Sequence, residues 1–131
     1  MCWENVMIIP IVLKKPLRVY KVGTLTSGNF ISLYQIFWYR KNKIVPTIKL
    51  NPKFVRRCSI SPCVEAPWDC DRFYIYKGYH SYLTKKIAKH NSYNYEDIGV
   101  FEIPAGATIY VNYRHGEVVS SDIKYLGLLK S

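Results

Sequence analysis

Along most of the chain, apolar and polar residues alternate with a period of two, in short runs that end at glycine or proline. PLRVYKVG (16–23) opens on a strand-edge proline, sets Leu17, Val19 and Lys21 against Arg18, Tyr20 and Val22, and stops at Gly23. RFYIYKG (72–78), IGVFEIP (98–104) and ATIYVNY (107–113) read the same way, and VVSSDIKYLGLL (118–129) closes the chain as a last strand. Pro104-Ala105-Gly106 and RHGE (114–117) are turn sequences. KIVPTIKL (43–50) carries an internal proline and is at best an edge strand, while residues 51–71 read as a long loop. FISLYQIFWYR (30–40) suits a buried strand or an amphipathic helix, and its β-branched and aromatic content favours strand.

Seven prolines spread from Pro10 to Pro104 exclude long helices nearly everywhere. One short helix is predicted near residues 84–90, where Thr84 can cap KKIAKH. The expectation is a single compact domain over residues 1–131, mainly β with about six strands and that helix, or α+β if residues 30–40 are helical.

Composition supports a folded chain. At 131 residues one core is expected, burying roughly two-thirds of the unfolded surface. A content of 49% apolar residues, with 12 tyrosines, lies far from the signature of disorder. The run VMIIPIVL (6–13) is too short to span a bilayer, contains Pro10, and has its lysines after it rather than before. The reading is a soluble cytoplasmic protein with no membrane partner, and reduced thiols are the default for Cys2, Cys58, Cys63 and Cys70. The C-x4-C-x6-C spacing of Cys58, Cys63 and Cys70, with His80 or His90 nearby, lacks the paired spacing of zinc sites. Neither a metal nor a cofactor is expected.

The net charge of +10 is distributed unevenly. Residues 5–64 hold 11 Lys or Arg and no Asp or Glu, whereas residues 65–131 hold eight of each sign. A long single-sign region attracts anions: a nucleotide, nucleic acid, or an acidic protein face.

Candidate chemistry concentrates at GYHSYLT (78–84). Tyr79, His80 and Ser81 offer a stacking face, a titratable nitrogen and a hydroxyl in three residues, with Lys77 and Lys85 on either side. A glycine before them allows the backbone to approach a ligand closely. Catalytic arrangements are absent: His80 and Ser81 point to opposite faces of a strand, no carboxylate pair is fixed by spacing, and there is neither a P-loop nor a G-x-G-x-x-G.

Two resemblances follow from particular residues. Met1-Cys2, Val19-Tyr20-Lys21, Gly78 to Tyr82, Ile103 to Gly106, and Gly116-Glu117-Val118 with Ser121-Asp122 occur in an order that resembles small proteins of gut Bacteroidales phages. That resemblance implies a phage origin and brings no activity with it. The order VYKVG, GYHSYLTKKIA, FEIPAGATIYV, GEVV looks more distantly like ADP-ribosyltransferase folds. It implies Arg18 or Lys21 as the NAD anchor, Ser81 as pocket support and Glu117 as the stabiliser of an oxocarbenium ion. GYHSYL lacks the second serine of those enzymes, and GEVV lacks the paired glutamate.

The function expected is therefore binding. A phage-encoded anti-defence protein would sequester an anionic, nucleotide-type immune signal in the host cytoplasm, contacted by Arg18, Tyr20, Lys21, Lys77, Tyr79, His80, Ser81 and Lys85. A homodimer is a corollary. The alternatives are an NAD-using transferase built on Arg18, Ser81 and Glu117, and a basic protein that docks on nucleic acid or an acidic host protein.

Overall fold

The computed structural model describes residues 2–4, 9–32, 37–55, 72–75, 77–93 and 96–129. Its strands are β1 (Cys2–Glu4), β2 (Ile11–Val12), β3 (Leu17–Thr26), β4 (Asn29–Ser32), β5 (Phe37–Tyr39), β6 (Lys53–Val55) and β7 (Arg72–Tyr74). After these come β8 (Tyr79–Tyr82), the helix α1 (Lys85–His90), β9 (Asp97–Ile103), β10 (Thr108–Asn112), β11 (Glu117–Ser120) and β12 (Lys124–Leu128). The mainly β expectation holds. Strands form two antiparallel sheets: a small one ordered β1-β7-β6, and a large one ordered β12-β9-β3-β8-β11-β10-β2 with β4 and β5 branching from β3. No helix among the described residues is long and apolar enough to cross a membrane.

More strands occur than the six expected: the 30–40 and 118–129 runs are each divided, β8 follows the 72–78 run as a strand of its own, and β1, β2 and β6 are added, β6 pairing with β7 inside the stretch 51–71 that reads as a loop. Within RFYIYKG the strand is only β7, which belongs to the small sheet, and beyond it the chain enters β8 of the large sheet through Gly78. Gly78 has φ +143°, and a Cβ there would lie 2.5 Å from Val119 and 2.7 Å from Leu50, so glycine is required at the crossing. VVSSDIKYLGLL breaks at Ser121 to Ile123. The Ser121 hydroxyl accepts from Thr108 N–H at 3.0 Å and donates to Asp122, whose other oxygen accepts from Thr47, so side-chain bonds join the backbone bond from Ser121 N–H to the Thr108 carbonyl at the break. The 30–40 run gives β4 and β5, with residues 33–36 outside those described. KIVPTIKL is not a strand. It is an extended cover whose Val45 and Ile48 pack on the core.

Conversely, β3 does not stop at Gly23 but continues to Thr26. One edge of β3 pairs with β9 from Leu17 to Gly23. Its other edge is divided, Tyr20 pairing with Tyr82 of β8 and Gly23 to Thr26 pairing with β4. The sheet thus forks at Lys21 and Val22.

The inner face carries the core. Val19, Lys21 and Gly23 of β3 are buried, while Arg18 is exposed and Tyr20 and Val22 are half-buried. Over this face lies an aromatic cluster centred on Phe101, with ring centroids 5.4 Å from Phe30, 5.0 Å from Tyr39 and 5.1 Å from Tyr125. Gly23 and Gly99 make room for the Phe30 ring: a Cβ at Gly23 would stand 2.1 Å from the Ile31 carbonyl oxygen, and one at Gly99 would stand 3.0 Å from Phe30. The helix begins as the sequence implies, with Thr84 Oγ1 accepting from Ile87 N–H at 3.2 Å.

Gly23→Ala is expected to destabilise the fold by about 2 kcal/mol or more, since the backbone carbonyl it meets cannot yield. Thr84→Ala is expected to cost about 1 kcal/mol. Urea unfolding measures both, and a Gly23→Ala protein as stable as the wild type would contradict the close approach of β4.

Candidate functional site

At the fork, where β3 leaves β8 to pair with β4, the two edges part and leave a cavity of about 430 Å³. Lys21 and Val22 line it from β3, Ser32 from β4, and His80, Ser81 and Tyr82 from β8. Glu117 enters from β11, whose backbone pairs Glu117 with Tyr82. The segment after α1 supplies Asn91, Tyr93 and Glu96. Tyr93 is 69% exposed and its backbone N–H donates to Glu96 Oε1 at 2.7 Å.

Lys21 is the unusual wall. It is 3% exposed, and its ammonium lies 5.2 Å from the centre of the Tyr39 ring and 5.8 Å from that of Phe101. Those ring faces attract the cation, yet no carboxylate pairs with it among the described residues. Burial therefore lowers the pKa of Lys21 to about 7. His80 and Ser81 are also buried, and the Ser81 hydroxyl makes no hydrogen bond among the described residues. A buried hydroxyl left unpaired costs about 1–3 kcal/mol. Burial raises the pKa of Glu117, with His115 opposing it. Burial also raises that of Tyr82, reinforced by Glu117 and Glu96. The cavity thus combines a buried lysine with the two carboxyl groups of Glu96 and Glu117 in one lining.

Of the residues singled out from sequence, Lys21, His80 and Ser81 are brought together here, and Glu117 joins them. Arg18 is exposed on β3, where its backbone pairs with Glu102 of β9, and it does not line the cavity. Tyr20 is half-buried on the same side of β3 as Arg18. Tyr79 lies in the core instead: its ring packs edge-on to Phe37 and Tyr39, and its hydroxyl donates to the Pro46 carbonyl. Lys77 and Lys85 are exposed, outside the cavity. The Cys58, Cys63 and Cys70 cluster lies outside the described residues, as does the structure of residues 33–36. Among the described residues no group of three His, Cys, Asp or Glu is placed to hold a metal.

Sequence reasoning missed Ser32, Asn91, Tyr93 and Glu96. Ser32 arrives only because β4 folds back along β3, and a β3 that ended at Gly23 would have no partner there. The signal for Tyr93 and Glu96 was the chain reversal implied between a short helix and the strand at 97, which brings the intervening residues over β8.

No protein-family model matches the chain, and neither a curated protein sequence nor a solved structure resembles it significantly.

Lys21 couples stability to pH. Between about pH 7 and the ordinary lysine value of 10.5, the unfolded chain binds a proton at residue 21 that the folded chain lacks. Stability contributed by this group therefore rises with pH across that window, and below pH 7 folding carries the full cost of the buried charge. Lys21→Met is expected to be more stable than the wild type at pH 6 by a few kcal/mol, with the difference shrinking toward pH 10. Urea unfolding of both proteins at pH 6 and 9.5 measures this. A gap that does not depend on pH would mean that the ammonium is solvated.

Proposed function

We propose that this protein binds a small anionic ligand of nucleotide type in the cavity at the fork, with the anionic group directed to Lys21. The observation that carries the reading is a buried lysine in a cavity wall that forms no ion pair among the described residues, although Glu96 and Glu117 line the same cavity. In the core of a protein of this size a methionine would fill the same space without the desolvation cost. An anion supplies the missing countercharge: binding protonates Lys21 fully, and the pair forms where water screens it least. Ser81 adds a hydroxyl that can bond the same anion, and Tyr82 and the exposed Tyr93 offer ring faces to a base. A volume of about 430 Å³ falls within the range of small-ligand sites, about 300–1,000 Å³.

Binding of this kind needs affinity and no chemistry. A site that holds its ligand without turning it over suits the sequestering of a nucleotide signal, and the phage origin that the resemblance implies would set that role in a host cell.

The test is a thermal-shift and calorimetric panel of AMP, ADP, NAD and inorganic phosphate at pH 7, repeated at pH 9. At least one nucleotide is expected to stabilise the protein. Lys21→Met should weaken it by about tenfold or more, because a buried charge partner is lost. Affinity should fall toward pH 9, where the free protein holds Lys21 neutral. The absence of a shift with every compound, or undiminished binding by Lys21→Met, would sink the proposal.

A further inference from the structure

Beside the first cavity lies a second concavity of about 1010 Å³, and the two share Tyr82, Asn91 and Glu117 as walls. It forms where α1 faces the turn between β10 and β11. Gly116 makes that approach possible: its φ is +65°, and a Cβ there would lie 2.1 Å from Ile87 Cδ1. The helix contributes Lys86, Lys89 and His90 to the groove, and the turn contributes Tyr113, Arg114 and His115.

Lys86, Lys89 and Arg114 and two imidazoles therefore converge on one hollow, against Glu117 as the single acid in its lining. No ion pair joins Lys86, Lys89 or Arg114 to a carboxylate among the described residues. The helix gains nothing from its basic first turn, since Lys85 and Lys86 stand at the positive end of its dipole with no acidic residue there. Tyr113 is 76% exposed beside these cations, a flat ring turned to solvent in a protein that buries Tyr39, Tyr79, Tyr110 and Tyr125. Cations that can follow a phosphate backbone, with an exposed ring for a base, form the pattern of single-strand recognition. A duplex buries its base faces and would leave Tyr113 nothing to stack on.

We infer that the ligand is a short single-stranded oligonucleotide: one terminal nucleotide enters the Lys21 cavity, and the groove of Lys86, Lys89 and Arg114 holds the phosphates that follow. This rests on the reading of the cavity as a nucleotide site and extends it from a single nucleotide to a chain. The basic groups concerned come from the half of the sequence in which charges balance, so the groove is a product of folding and not of the basic first half.

The experiment compares AMP, by calorimetry, with a labelled single-stranded tetranucleotide of RNA and of DNA, by fluorescence anisotropy. The proteins are the wild type, Lys21→Met, Tyr113→Ala, and a Lys89→Ala/Arg114→Ala double variant whose altered side chains are exposed. A tetranucleotide is expected to bind at least tenfold more tightly than AMP. Its log K should fall with log salt at a slope of about −2, for three phosphates neutralised on a single strand. The double variant should lose the gain and keep the affinity for AMP, and Tyr113→Ala should weaken the tetranucleotide about fivefold or more. AMP binding with no gain for the tetranucleotide, or a gain that survives the double variant, overturns the groove and leaves the cavity reading intact. Tetranucleotide binding that needs Lys89 and Arg114 but is indifferent to Lys21→Met supports the groove and overturns the cavity reading. If neither compound binds, both fall.

Discussion

The ring of Phe30 rests against two glycines, Gly23 of β3 and Gly99 of β9, and the arrangement of the large sheet depends on that contact. Without a Cβ on either strand, the β4–β5 hairpin closes directly onto the sheet and delivers Phe30, Phe37 and Tyr39 to a cluster around Phe101. The same contact draws the far half of β3 away from β8 toward β4. A sheet that forks leaves a gap, and the gap is the cavity. The packing device of the core and the candidate site therefore have one origin.

Lys21 is caught between these two structures. Its place on β3, two residues after Val19 and two before Gly23, commits its side chain to the inner face, where rings surround it. By local packing alone the position calls for an apolar residue. Departures of this kind, in which one residue contradicts an otherwise consistent core, are where function most often resides. The Ser81 hydroxyl on the neighbouring β8 repeats the departure on a smaller scale.

Charge behaves differently in sequence and in space. The first half of the chain carries the excess of cations, yet of its described basic side chains only Lys21 lines either cavity, and Arg18, Lys41 and Lys43 are exposed outside both. The groove instead gathers Lys86, Lys89 and Arg114 from a half whose net charge is zero. Their acidic counterparts Glu102 and Asp97 sit on β9, on the other side of β3 from β8 and β11. Summing charge along a chain measures solubility and long-range attraction; a binding surface depends on which charges share a hollow.

Local features were legible because local forces make them. Alternation gave β9 and β10, Thr84 marked the start of α1, and the Pro104-Ala105-Gly106 and 113–116 turns occur where proline and glycine allow them. His80 and Ser81 stand out as candidates from their company alone, without knowledge of what faces them, and both line the cavity. Everything that needed two distant segments was decided only by the tertiary structure. Gly23 reads as a strand end, and the absence of a side chain has an opposite meaning, a strand that continues, once Phe30 lies over it. Gly78 ends a run in sequence and in space passes the chain from one sheet to the other, between Val119 and Leu50. Lys21 reads as one basic residue among 11, and its burial is set by rings 18 and 80 residues further along, Tyr39 and Phe101. Desolvation acts through neighbours in space, and a period-two pattern names the face of a strand without naming what will cover it.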